Sequence, residues 1–153
     1  MAAIPPAHFL CEPDPDYPGW HAYELSDPDR YNQAFLGRLH MRREGEDSCR
    51  VRLHPRAIHV NSGGRIHGGT TLGLIDVGIF GAMYMIKGTP VSGSLTVDLQ
   101  TQFLGAGDPA QPLDAVIEVL RETRRLGFLR GLVVQGEARV AAFSATIRKQ
   151  TAA

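Results

Sequence analysis

Asp76 stands inside an otherwise apolar run, with Leu72 and Gly73 before it and Ile79 and Phe80 after it at the spacings that share a helix face. A carboxylate in such company is expensive unless it is paired, hydrogen-bonded or functional. It could be a structural Asp bonded to backbone donors, one facing a wet subunit contact, or a functional acid. Just upstream lies Ile66-His67-Gly68-Gly69-Thr70. Free N–H groups and the helix dipole at a helix start favour developing negative charge. That suits the oxyanion of an acyl-transfer intermediate. A tight loop with glycines at positive φ would read the same way. The pair is not a dinucleotide fingerprint, because no GxGxxG is present, nor a phosphate loop, because Gly69 is not followed by Lys. Asp76 lies seven residues beyond Gly69, about 10 Å along a helix at 1.5 Å per residue. One carbonyl carbon cannot easily meet both within one chain. The spacing therefore predicts that Asp76 of one subunit works opposite the Gly68-Gly69 end of another.

The elements that must hold these residues follow from periodicity. Leu72, Ile75, Ile79, Met83 and Ile86 recur at spacings of three and four, which predicts a helix over 70–87. Its other faces carry Leu74, Val77, Gly81, Ala82 and Tyr84, so it reads as buried nearly all round. Alternation predicts a hairpin of strands over 35–43 and 49–54, then strands over 95–103, 113–122, 127–136 and 138–149. Asp27-Pro28 reads as a helix start, with a short helix running to about Ala34. Residues 1–27, rich in Pro and Asp, read as an N-terminal arm, extended or coil, and residues 28–153 as one domain. Helices do not alternate with strands, so the class is α+β with a mostly antiparallel sheet curved around one long helix.

Composition narrows the function classes. The chain has 153 residues, 43% hydrophobic and 21% charged, with sixteen basic residues against sixteen acidic ones. Zero net charge argues against a dedicated nucleic-acid binder and favours self-association. Cys11 and Cys49 do not make a disulfide framework. The start lacks the basic-then-apolar pattern of a signal peptide, and no uninterrupted apolar stretch suggests a membrane span. The expectation is a soluble, cytoplasmic protein. The six histidines are scattered, and His54 and His59 show no metal-ligand spacing and read as surface or loop residues.

The spaced pattern Asn61-x5-His67-Gly68-Gly69-x6-Asp76 resembles the helix motif of the hotdog-fold acyl-CoA thioesterases, in their phenylacetate-pathway (PaaI-like) branch. Gly93-Ser94-Leu95-Thr96-Val97-Asp98-Leu99 resembles that branch's third strand, and the element order over roughly residues 28–149 agrees. The resemblance implies a homodimer, usually paired into a tetramer, with sites at the subunit interface. It implies an acyl-CoA substrate of aryl or medium-chain type, with coenzyme A part of the substrate and no metal or other cofactor. By it, Asp76 acts as general base or nucleophile, and the N–H of Gly68 or Gly69 polarises the thioester carbonyl. Asn61 and His67 position substrate or water, and Thr96 orients the water near Asp76. Taken alone, Asn61 could be a turn residue, His67 a structural histidine and Thr96 an ordinary strand residue. Packing around Leu72, Phe80 and Met83 would set the acyl pocket. Arg124, Arg125 and Arg130, near a hairpin bend, could meet the phosphates of coenzyme A or simply face solvent.

Two other readings remain. A hydroxyacyl-thioester dehydratase would need a His and an acid on one substrate carbon. His67 before the helix and Asp76 two turns along it fit that poorly. A non-catalytic acyl-CoA binder would have no need of an intact Asp76.

Overall fold

The computed structural model describes residues 6–150. The chain starts with a hairpin of β1 (Phe9–Pro13) and β2 (His21–Leu25), followed by a π-helical turn at Asn32–Leu36. A second hairpin, β3 (Leu39–Arg43) and β4 (Ser48–Leu53), leads through a 3-10 turn at Ala57–His59 to the helix α1 (Gly68–Lys87). Then come β5 (Leu95–Phe103), β6 (Leu113–Glu122), β7 (Leu126–Gln135) and β8 (Ala138–Arg148). The eight strands form one antiparallel sheet in the order β1-β2-β3-β4-β6-β7-β8-β5. Bulges interrupt the β5–β8, β6–β7 and β7–β8 ladders. Each raises the local twist and helps the sheet curl.

The curl exists to cover α1. Cys49, Val51 and Leu53 of β4 and Leu113, Ala115 and Ile117 of β6 point inward and are fully buried. They meet Leu74, Ile75 and Ile79 of the helix, also fully buried. Removing such a side chain, as in Ile79→Ala, costs about 2–5 kcal/mol through lost burial and the cavity left behind. By length and composition α1 could cross a membrane; here the sheet takes up its apolar surface. Gly88 ends the helix at φ 68°, a left-handed conformation in which its N–H reaches back to the Tyr84 carbonyl at 2.9 Å.

Three expectations change. Residues 9–25 are not loose coil: β2 pairs with β3, and β1 with β2, so the arm extends the sheet. The Leu25 N–H donates to Gln33 Oε1 at 3.1 Å, and Phe9 stacks on the buried Tyr23 ring at 5.4 Å. The helix expected over 28–34 does not form. Asp27 Oδ1 accepts the Asp29 N–H at 3.0 Å, which makes a turn instead. A single helical turn forms later, over Asn32–Leu36 and entered from a helical Tyr31, and its Phe35 carbonyl is taken by Arg56 Nη2 at 2.6 Å and His59 Nε2 at 2.7 Å. The same contacts start β3 at Leu39 and not at Phe35.

His59 is the third change: it is fully buried, not a surface residue. Its Nδ1 accepts the Arg56 N–H at 2.9 Å, which leaves Nε2–H to donate to Phe35. Burial, then the nearby Arg56 charge, push its imidazole below the ordinary histidine range. On the outer face, Trp20 lies against the guanidinium groups of Arg42 and Arg52 at 4.5 and 4.6 Å. Arg52 also forks onto Asp114 through two 2.7 Å bonds.

Candidate active site

The helix start is built by histidines. The His67 N–H donates to the His59 carbonyl at 2.8 Å, and the Thr70 hydroxyl donates to the same oxygen at 3.2 Å. His67 is the N-cap: its Nδ1 accepts the Gly69 N–H at 2.8 Å. Of the two glycine donors expected here, Gly69's is thus already engaged. The Gly68 N–H has no acceptor among the described residues. It is the open donor at the positive end of the helix dipole, beside the Phe103 ring.

Asn61 shapes the preceding loop. Its Oδ1 accepts the N–H groups of Gly63 at 2.9 Å and Arg65 at 3.1 Å. Its amide nitrogen keeps its donors free among the described residues. Asn61, His67 and Gly68 therefore gather at one end of the helix.

Asp76 lies two turns along, half-buried rather than enclosed. The reason is β5, an edge strand with only β8 beside it, which leaves this flank of the helix open. Leu72 and Tyr84, one turn before and two turns after Asp76, are 38% and 44% exposed, so the expected all-round burial fails along one stripe. Thr96 Oγ1 donates to Asp76 Oδ1 at 2.7 Å. A register shift between Thr96 and Asp98 re-aims the strand at this point. The Asp76 carboxylate also borders a cavity of about 300 Å³, whose walls include Phe9, Asn32, Phe80, Val91 and Ser92.

Tyr31 completes this end of the site and has no counterpart in the sequence reading. A Cβ built on Gly73 would sit 2.6 Å from the Tyr31 hydroxyl, so only glycine admits the phenol there. Helix side chains lean toward the N-terminus, which brings the Asp76 carboxylate back over that same turn. Partial burial, then the Asp76 charge, push the Tyr31 phenol up. Phe9, Tyr31 and Asn32 come from the region read as arm and short helix. The alternation Phe9-Cys11-Pro13 and His21-Tyr23-Leu25 was a usable strand signal.

The structure thus brings Asp76, Thr96 and Phe80 together and keeps Asn61, His67 and Gly68 at the other end of α1. Arg124 and Arg125 sit exposed at the β6–β7 turn. Arg125, Arg148 and Lys149 line a cleft of about 310 Å³ that shares Gly93 with the Asp76 cavity. Arg130 is instead paired with Glu118 across the sheet at 2.8 Å.

Comparison with known proteins agrees with this architecture. The thioesterase superfamily model matches residues 63–142, just over half the chain, from the loop before α1 into β8. No curated protein matches the sequence. Among solved structures, thioesterase superfamily member 2 of zebrafish superposes with a TM-score of 0.68 at 21% identity, over 80% of this chain and 90% of that one. The Escherichia coli PaaI protein of the phenylacetic acid degradation operon gives 0.67 at 20% identity, over 80% and 86%. A conserved protein of Pseudomonas aeruginosa gives 0.66 at 23%, over 79% and 94%. At these identities the structures establish the fold, and the family match establishes the kinship. The chain belongs to the thioesterase superfamily, a thioester hydrolase built as a hotdog fold around α1.

Proposed function

We propose that the chain hydrolyses an acyl-CoA thioester with an aryl or medium-chain acyl group, in the manner of the PaaI-like branch, with Asp76 as general base. The bond from Thr96 to Asp76 Oδ1 is the observation that carries this reading. It fixes the carboxylate and leaves Oδ2 without a partner among the described residues, free to take a proton from water. The water oxygen attacks the thioester carbonyl. The tetrahedral oxyanion is held by the free Gly68 N–H, and the thiolate leaves with the proton that Asp76 returns. Asn61 Nδ2 and His67 stand beside that donor to position substrate.

Gly68 and Asp76 are about 12 Å apart along one helix, so the proposed site pairs Asp76 with Gly68 of a second subunit. Support comes from the open flank. β5 is an edge strand whose Leu95, Val97 and Phe103 are 52%, 60% and 54% exposed, beside the exposed Leu72. An apolar free edge of this kind is a place for a partner strand. We read the chain as a homodimer, with further pairing to a tetramer open to test by light scattering. Arg125 and Arg148 in that cleft, with Arg124 nearby, would take the coenzyme A phosphates, Lys149 being already paired with Glu122 at 2.6 Å. The reaction as proposed uses protein groups and water only.

A dehydratase reading has less to work with here, because His67 already spends Nδ1 on the Gly69 N–H. The deciding experiment is thiol release from a panel of acyl-CoAs, with Asp76→Asn beside wild type. Loss of release with acyl-CoA binding retained supports the proposal. Binding by the wild type without release from any thioester would make the chain a non-catalytic binder.

A further inference from the structure

The Asp76 cavity does not end at Phe80. A second chamber of about 240 Å³ adjoins it, lined by Ala7, His8, Cys11, Tyr23, Tyr84 and Pro90 together with Phe9, Val91 and Ser92. Those last three also line the Asp76 cavity, so the two chambers are neighbours that meet at Phe9. The floor is α1: Phe80 belongs to the first chamber and Tyr84, one turn on, to the second. The roof is the β1–β2 hairpin, which lies outside the family's matched residues 63–142. The roof is fixed. Tyr23 packs between Phe9 and the helix, where a Cβ on Gly81 would come within 3.2 Å of its ring.

The chemistry of the second chamber is one-sided. No Asp, Glu, Lys or Arg lines it, while the cationic cleft at Arg125 and Arg148 opens elsewhere, past Gly93. With His8 at its mouth the one imidazole, a wall otherwise of Ala7, Phe9, Cys11, Pro90, Val91 and two tyrosine rings suits hydrocarbon better than a phosphate. From Asp76 to Tyr84 the helix advances roughly 12 Å. An extended chain of about eight to ten carbons spans that distance with C–C bonds near 1.5 Å. A phenylacetyl group would stop in the first chamber.

Resting on the reading that hydrolysis occurs at Asp76, we infer that the N-terminal hairpin makes this chain selective for unbranched medium-length acyl thioesters. The carbonyl sits at Asp76, and the tail runs beneath β1 to Tyr84. Each methylene buried is worth up to roughly a fourfold gain in binding. The preference therefore grows along the series from butyryl- to decanoyl-CoA and stops growing where the chamber ends.

The test is kcat/KM across butyryl-, hexanoyl-, octanoyl-, decanoyl- and palmitoyl-CoA, with phenylacetyl-CoA alongside. The expected result is roughly tenfold or more in favour of octanoyl or decanoyl over butyryl and phenylacetyl. Cys11→Phe, which fills the far chamber, lowers the decanoyl-to-butyryl ratio by about tenfold. A second measurement does not depend on that variant folding. Cys49 is fully buried and Cys11 only partly, so Cys11 is the thiol that N-ethylmaleimide reads. In Asp76→Asn, decanoyl-CoA should slow its alkylation and butyryl-CoA should not. A flat chain-length profile with Cys11 unprotected overturns the tail site and leaves hydrolysis standing. Protection by decanoyl-CoA with no thiol release in wild type keeps the tail site and overturns hydrolysis.

Discussion

The His67 N–H hangs from the carbonyl of His59 at 2.8 Å, so the residue that caps α1 is held by a histidine whose own ring is shut inside the protein. The His59 ring holds the Phe35 carbonyl on its other side at 2.7 Å. One residue therefore ties the turn carrying Tyr31 to the helix start carrying Gly68. His59→Ala leaves the Arg56 N–H without its acceptor and the Phe35 carbonyl with Arg56 Nη2 alone. It should cost about 2–3 kcal/mol in urea unfolding. It should also lower kcat by loosening both ends of the site, whereas Glu137→Ala, in the exposed turn between β7 and β8, should change neither.

Stability should fall on mild acidification for the same reason. The folded state prefers neutral His59, its pKa being depressed. Its contribution is therefore full above the unfolded value of about 6.5 and is lost as pH falls from there toward the folded value. A further loss belongs to Asp14, whose carboxyl is held low by the Asp16 N–H and then by the His40 ring. That contribution is full above about pH 4 and disappears as pH drops through the depressed value. Urea midpoints measured from pH 7.5 downward should begin to fall as pH drops below about 6.5. A flat profile in that interval would contradict the role given to His59.

Thr96 can be separated from Asp76 by degree. Asp76→Asn keeps the shape and removes the proposed base, so kcat should fall at least about a hundredfold. Thr96→Val keeps the β-branch and removes one hydrogen bond to a charged group, worth about 1.5–3 kcal/mol. Stopped assays of thiol release should show a loss of roughly ten- to a hundredfold in kcat, with acyl-CoA affinity little changed. Equal kcat in Thr96→Val and wild type would remove Thr96 from the site.

Gly73 tests whether the Tyr31 phenol matters where it stands. Gly73→Ala pushes a methyl to within 2.6 Å of the hydroxyl, so the tyrosine must move. Activity should drop in Gly73→Ala and in Tyr31→Phe by similar factors. Gly73→Ala made in the Tyr31→Phe background should add little, since the Tyr31 ring carbon at 3.5 Å is in ordinary contact. Additive losses in the cycle would mean that the two substitutions act independently.

Much of this was legible in the residues. The strand over 95–103 and the helix over most of 70–87 follow from plain periodicities of two and 3.6 and appear as expected. The inward set Cys49, Val51 and Leu53 was visible for the same reason. What the periodicities could not carry were relations between distant segments. Asp76 reads as enclosed because the run around it is apolar, but its exposure depends on β5 lying at the sheet edge, which no local pattern states. The N-terminal hairpin was hidden by its prolines, although Pro13 closes β1 without interrupting it. His59 has only a loop around it in sequence; its burial comes from Phe35, twenty-four residues away.

The separation of Gly68 and Asp76 along α1 carries a genetic consequence. In the proposed dimer each chain lends its glycine to one reaction and its carboxylate to another, so the two losses are recessive to each other. A chain bearing Asp76→Asn and a chain bearing Gly68→Pro, each inactive alone, would between them rebuild one working centre of two. Mixed after unfolding and refolded together, or expressed in one cell, two silent alleles would restore about a quarter of wild-type turnover, by random pairing into active and inactive dimers.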